Sequence, residues 1–139
     1  MENNIPILIV DDSLIVRQTV KNTLAGIGYT NICSVANGME ALEKVKERLA
    51  NGDDMFKVIF LDRNMPEMDG LTFLKTFRSD LKIMQTAVIM LTAYSDQDSI
   101  IAALEAGAAS YIIKPVSTET IQKKMDIVAE WLEGHKGLD

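Results

Sequence analysis

A doubly wound α/β domain, five βα units around a parallel sheet, is the fold that these 139 residues predict. Three observations predict it. Five short apolar runs alternate with five amphipathic stretches along the chain. The central run, Lys57-Val58-Ile59-Phe60-Leu61, is rich in β-branched residues and apolar on both parities, as a strand covered on both faces must be. Turn-forming residues such as Pro66 and Gly70 then separate each run from the helical spacing that follows. Strict alternation of this kind puts helices on both faces of a parallel sheet.

The length suits one domain, residues 1–139 with a core from about residue 5 to residue 133. Apolar residues make up 47% of the chain, enough for a full core. A formal net charge of −6 opposes contact with a nucleic-acid backbone, so direct nucleic-acid binding is not expected. The single cysteine, Cys33, excludes an internal disulfide, suits a reducing compartment and reads as a packed small hydrophobe. No apolar run approaches the ~20 residues of a membrane span. The start, Met1-Glu2-Asn3-Asn4, lacks the basic and hydrophobic segments of a secretory signal. A cytoplasmic domain without membrane insertion is expected.

In chain order, residues 5–10 form the first strand, with Pro6 tolerable only near its beginning. Ser13 caps a helix whose inward face is Val16, Val20, Leu24 and Ile27, and Gly28 stops it. The mixed run 32–36 suits an edge strand. Asn37 and Glu40 have capping-box spacing and open a helix with Leu42, Val45 and Leu49 inward and Glu40 and Lys44 paired outward. After the central strand, Leu71, Leu74 and Phe77 mark a third helix ending near Ser79-Asp80. Residues 87–91 form the fourth strand, with Thr92 at its end. Ser95 and Asp98 again have capping spacing, ahead of Ile100, Ile101 and Leu104, and Gly107 breaks that helix. Residues 110–113 form the fifth strand, ending at Lys114-Pro115. Ser117 caps the last helix, which buries Ile121, Met125, Val128 and Leu132.

Right-handed crossovers leave few topologies, one of which is the flavodoxin-like order 2-1-3-4-5. There the carboxyl ends of the first and third strands meet at the switch point, where such sheets bind ligands. Strand one ends in Val10-Asp11-Asp12 and strand three in Leu61-Asp62, so three carboxylates share one cleft. Two unit charges ~4 Å apart repel by ~4 kcal/mol at an effective dielectric of about 20, so the cluster needs positive charge. A divalent cation and Lys114, leaving strand five, are the candidates. Oxygen ligands without neighbouring His or Cys favour Mg2+, with Mn2+ possible, over Zn2+. Thr92 adds a hydroxyl and a backbone N–H. Cation, ammonium and hydroxyl around Asp62 make a site for a tetrahedral anion, with the Asp62 carboxylate as attacking group. Each piece alone has a bland reading: Asp-Asp as a turn, Thr as a cap, Lys-Pro as an extended break. Their joint placement at the ends of four strands carries the functional one.

Val10-Asp11-Asp12-Ser13, Leu61-Asp62-Arg63-Asn64-Met65-Pro66 with Asp69-Gly70, Leu91-Thr92-Ala93 and Tyr111-Ile112-Ile113-Lys114-Pro115 resemble, in this order, the receiver domain of two-component response regulators. The likeness covers nearly the whole chain. Asn64-Met65-Pro66, Met68-Asp69-Gly70-Leu71, Ile100-Ile101-Ala102-Ala103 and Ala106-Gly107-Ala108 are most similar to single-domain chemotaxis regulators of the CheY type. The resemblance implies that Asp62 accepts a phosphoryl group from the phosphohistidine of a sensor histidine kinase or phosphotransfer protein. It implies Mg2+ on Asp12, Asp62 and the Asn64 backbone carbonyl, with Asp11 acting through water. Lys114 would pair with Asp62 and then with the phosphoryl group, Asn64 and Ala93 would contact that group through their backbones, and Thr92 would hydrogen-bond it. Tyr111 would change rotamer as Thr92 moves, and the Lys114-Pro115 bond would be cis. A downstream protein would read the surface of the fourth helix, fifth strand and fifth helix. Self-phosphorylation and autodephosphorylation are implied in place of ordinary enzyme turnover. With no further domain after the last helix, a stand-alone regulator is expected.

Tyr94 stands where the chemotaxis relatives carry Glu, and Ser95-Asp96-Gln97 lack the lysines that those relatives present to the flagellar motor. Tyr94, beside the phosphoryl site, is expected to obstruct attacking water, and Tyr94 and Asn64 are the expected modulating residues. Two rival classes remain open. An Asp-nucleophile phosphohydrolase would need a second acid/base carboxylate and a cap over its pocket. An inert interaction module would keep the fold without phosphorylating. His135 has no ligand-spaced partner, and Trp131 is expected to cover part of the last helix.

Overall fold

A computed structural model of the chain describes residues 4–52, 54–83 and 85–136, without the side chains of 80–83 and 133–136. The elements alternate as expected: β1 (Ile7–Val10), α1 (Leu14–Gly26), β2 (Ile32–Val35), α2 (Gly38–Asn51), β3 (Val58–Asp62), α3 (Gly70–Ile83), β4 (Ala87–Thr92), α4 (Gln97–Glu105), β5 (Ser110–Ile113) and α5 (Thr118–Lys136). The five strands form a parallel sheet in the order β2-β1-β3-β4-β5, the flavodoxin-like order.

Successive strand residues point to opposite faces, and both faces are covered. Ile7, Ile9, Val58, Phe60 and Ile89 meet Val20 and Leu24 of α1 and Ile121, Met125 and Val128 of α5. Leu8, Val10, Ile59, Leu61 and Met90 meet Ala41 and Val45 of α2, Phe73 and Phe77 of α3, and Ala103 of α4. This is why β1, β3 and β4 are apolar on both parities. Burying an Ile or Leu side chain contributes about 1.5–3 kcal/mol, so β1 and β3, buried at every position, anchor the molecule. Pro6 precedes β1 and has no N–H to donate, but its carbonyl accepts from Lys57 N at 2.8 Å on the approach to β3.

The caps at Ser13 and Asn37 form as expected. Ser13 Oγ accepts from Val16 N, and Asn37 Oδ1 accepts from Glu40 N. Glu40 returns its carboxylate to the N–H of Ala36, one residue ahead of the cap. Cys33 is a free thiol packed on the α2–α4 side of the sheet, and Trp131 packs on the α1/α5 side.

The helices depart from expectation in three places. Leu49 is 40% exposed, because the inward line of α2 runs through Ala41 and Val45 to Arg48, whose guanidinium lies 4.2 Å from the Phe56 ring centre. Helix α3 does not end at Ser79-Asp80 but runs to Ile83, since no Gly or Pro intervenes before Gln85, which takes a positive φ of 57°. Helix α4 is capped by Asp96 and not Ser95: the Asp96 carboxylate accepts from Ser99 N at 3.0 Å and from the Ser99 hydroxyl. Its alanines face the core more fully than Ile101 and Leu104, with Ile100 half-buried. Ala103 and Ala106 are buried while Ile101 and Leu104 are 40% and 43% exposed, because small side chains let this short helix lie close to the sheet. The side chain of His135 lies outside the described residues. Among the described residues no helix is long and apolar enough to cross a membrane.

Candidate functional site

Strands β1 and β3 are neighbours in the sheet, with Val10 paired to Leu61, so Asp11 and Asp62 leave it side by side. Both are buried, at 0% and 2% exposure, while Asp12 is exposed. One carboxylate oxygen from each of Asp11, Asp12 and Asp62 lies within 4.8 Å of the others. The end of β5 delivers Lys114, whose Nζ stands 3.0 Å from Asp11 Oδ2 and 3.1 Å from Asp62 Oδ1. Lys114 is itself held by its backbone N–H, which donates to the Thr92 carbonyl at 2.7 Å, and its bond to Pro115 is cis.

The loops fix these groups through backbone contacts. Asp11 Oδ1 accepts from Ser13 N at 2.9 Å, and the Arg17 guanidinium donates to the Asp11 carbonyl at 2.7 Å. Asp62 Oδ1 accepts from Asn64 N at 3.2 Å. Beyond Asp62, Arg63 N donates to the Leu91 carbonyl and Gly70 N to the Arg63 carbonyl. Thr92 is buried at the end of β4, and its Oγ accepts from Tyr94 N at 3.0 Å. Ala93 and Tyr94 are exposed on the loop that follows. Tyr111 is half-buried against the α2–α4 side of the core, with Lys124 Nζ 4.7 Å from its ring centre.

Burial pushes the Asp62 carboxyl up to about 6, and the neighbouring Asp11 charge adds to the rise; Lys114 and the Asn64 N–H pull the other way. Burial also works against a charged Lys114, but its close contacts with Asp11 and Asp62 and their attraction outweigh it and hold the ammonium above the ordinary lysine value. Two buried oxygens, Asp11 Oδ2 and Asp62 Oδ2, accept no hydrogen bond among the described residues. The first meets Lys114 as an ion pair at 3.0 Å. The second is left unsatisfied, which is costly for a buried carboxylate. One ammonium against three carboxylates leaves a formal excess of two negative charges. A hard divalent cation bound by oxygen matches both that charge and that donor set, so these residues fit Mg2+.

The structure thus brings Asp11, Asp12, Asp62 and Lys114 together, with the Asn64 backbone and Thr92 bordering them. It also shows roles that no residue spacing singled out, for Arg17, Arg63 and Gly70. Arg17 acts on a carbonyl six residues back, and Gly70 by lying close to the backbone after Asp62. Arg63 turns away from the cleft, donating to the Ser99 carbonyl at 2.9 Å beside the Tyr94 ring.

Known proteins share this frame. Residues 7–126 match the family model of the response regulator receiver domain. The chain is 39% identical over 122 residues to chemotaxis protein CheY1 of Helicobacter pylori, covering 88% of this chain and 94% of that protein. Among solved structures, chemotaxis response regulator CheY4 of Vibrio cholerae is similar at 34% identity and a TM-score of 0.77, over 90% of this chain and 98% of that one. A chain of the CheX–CheY–BeF3–Mg2+ complex from Borrelia burgdorferi is similar at 29% identity and a TM-score of 0.76, over 87% and 86% of the two chains. With the family model spanning β1 into α5 and a relative matched nearly end to end, this chain belongs to the response regulator receiver domain family.

Proposed function

We propose that the chain is a phosphorylation switch in which Asp62 accepts a phosphoryl group from the phosphohistidine of a sensor histidine kinase or phosphotransfer protein. It is a signalling domain and not an enzyme that turns over a small substrate. One observation carries the reading: Asp62 is buried at a rigid strand end, with one oxygen held by Lys114 and Asn64 N–H and the other accepting no hydrogen bond among the described residues. Phosphoryl transfer asks mainly for in-line positioning and charge neutralisation, and a carboxylate fixed in this way provides the first. In the transfer, an Asp62 oxygen bonds to phosphorus while the P–N bond breaks and its electron pair leaves with the imidazole.

Asp11, Asp12 and Asp62, with the Asn64 carbonyl, would hold Mg2+ or Mn2+, which when bound neutralises phosphoryl oxygens. Lys114 offers its ammonium to the same group. The Asn64 and Ala93 backbone N–H groups and the Thr92 hydroxyl, whose oxygen already accepts from Tyr94 N, provide the remaining donors. The acyl phosphate adds a charge of about −1.5 to −2, which draws Thr92 and Lys114 inward. Tyr111 then repacks beneath Lys124, and the surface of α4, β5 and α5 changes for a downstream protein. Ile101, Leu104 and Ile113 already stand exposed there.

The chemotaxis names of the relatives support a chemotaxis-like stand-alone role for a single domain. The Borrelia burgdorferi complex, a CheY with CheX, BeF3 and Mg2+, supports a protein partner that engages a phosphoryl-mimicking state. A cytoplasmic location without membrane insertion or direct nucleic-acid contact accords with the net charge of −6 and the lone free Cys33.

Incubation with Mg2+ and acetyl phosphate, followed by intact-protein mass, is expected to add one phosphoryl group to the wild-type chain and none to Asp62→Asn. No mass gain, or an equal gain in Asp62→Asn, overturns the assignment.

A further inference from the structure

Arg63 follows Asp62 in the chain but takes no part in the acidic cleft. Its backbone N–H donates to the Leu91 carbonyl at 2.8 Å, so the residue is fixed to β4 at its root. Its side chain then crosses to the segment between β4 and α4. The guanidinium donates from Nη1 to the Ser99 carbonyl at 2.9 Å, in the first turn of α4. It also lies 5.7 Å from the centre of the Tyr94 ring, within the ~6 Å reach of a cation–π contact. Asp96, the cap of α4, is held below the usual carboxylate range, chiefly by Ser99, with the Arg63 charge contributing. One side chain rooted at the Asp62 turn therefore engages the segment at Tyr94 and at Ser99. That segment begins at Thr92, whose hydroxyl oxygen accepts the Tyr94 N–H. A guanidinium can stack through its face while donating from its edge; an ammonium cannot do both with the same geometry.

Building on the phosphoacceptor reading of Asp62, we propose that Arg63 is a positioning residue that pins the Tyr94 ring and the first turn of α4 to the Asp62 loop, and so limits the approach of water to the phosphoryl group. In hydrolysis, a water oxygen bonds to phosphorus, the bond from phosphorus to the Asp62 oxygen breaks, and the carboxylate leaves with the electron pair as inorganic phosphate forms. Arg63 touches none of these atoms. It acts through Tyr94, the bulky residue two positions beyond Thr92.

Wild type, Arg63→Ala, Arg63→Lys, Tyr94→Ala and the double Arg63→Ala/Tyr94→Ala variant are loaded with acetyl phosphate and Mg2+, freed of donor, and followed for loss of the phosphoryl group. Arg63→Ala is expected to lose it about two- to five-fold faster than wild type. Arg63→Lys should fall between the two. The double variant should decay like Tyr94→Ala alone, a non-additivity that a general loosening of the fold would not produce. In the unmodified protein, Arg63→Ala should also sharpen the Tyr94 ring resonances and speed amide exchange in the first turn of α4. Ring resonances and exchange rates like those of wild type, or a wild-type decay rate in a loaded Arg63→Ala, overturn the proposal. A wild-type chain that takes up no phosphoryl group removes the reading of Asp62 instead, and the ring and exchange measurements still decide whether Arg63 pins the loop.

Discussion

Gly70 passes so close to Asp62 that a Cβ on it would stand 2.3 Å from the Asp62 carbonyl oxygen and 3.0 Å from the Arg63 Cα. Both are main-chain atoms, which cannot rotate aside. Gly70→Ala is expected to displace the strand end that carries Asp62, the proposed acceptor, destabilising the fold by roughly 1–3 kcal/mol and slowing phosphoryl uptake. Gly26→Ala, at a helical position where nothing lies within 4 Å, should instead stabilise by about 0.5–1 kcal/mol. Urea unfolding of the two variants, with acetyl phosphate loading of the first, checks both signs.

Removing Lys114 leaves Asp11 and Asp62 facing each other without the ammonium they share. Breaking a buried ion pair from one side costs about 3–5 kcal/mol, and the partial exposure of Lys114 brings the expected loss for Lys114→Met down to on the order of 2–3 kcal/mol. A divalent cation should restore more stability to this variant than to wild type, because it meets the same uncompensated charge. Thermal unfolding in EDTA and in saturating Mg2+ measures the difference.

Burial holds the Asp62 carboxyl at about 6 in the fold against an ordinary value of 3.8, so the folded chain binds this proton more tightly than the unfolded chain. Its contribution to stability is therefore complete below 3.8 and is lost as pH rises through 6, about 3 kcal/mol in all. The stability of wild type relative to Asp62→Asn, measured in EDTA, should fall by that order between about pH 4 and 7. Magnesium competes with the same proton, so its affinity should climb over the upper part of that interval. Denaturant titrations and calorimetric Mg2+ binding across pH test the two trends.

Asp96→Ala should shorten amide-exchange protection at the start of α4, whereas Ser95→Ala should leave it unchanged. Asp96 holds both the N–H and the hydroxyl of Ser99, and Ser95 has neither. Hydrogen exchange at Ser99 and Ile100 separates the two residues directly.

The alternation of strands and helices was legible because β1, β3 and β4 are apolar on both parities and the breakers fall between them. What sequence could not decide was which of two apolar lines on a helix meets the sheet. In α4 the 3.6-residue period fits both Ile101 with Leu104 and the alanines, and only close packing selects the alanines. Ser95-x-x-Asp98 and Asp96-x-x-Ser99 are equally good capping patterns; the path of the loop chooses the second. The gathering of Asp11, Asp12, Asp62 and Lys114 was foreseeable because each stands at the end of a strand and strand order converges those ends. Arg17 and Arg63 escaped notice because they act on carbonyl groups, which every residue carries and no pattern records.

Asp11 and Asp62 ride on the two innermost strands of their half of the sheet, whereas Thr92 and Lys114 come from β4 and from the outer strand β5. Thr92 and Lys114 therefore reach the cleft from the β5 edge of the sheet, the edge away from β2. If they carry the switch as proposed, a listener resting on α4 and β5 stands next to the groups that move, and one pressed against β2 stands apart from them.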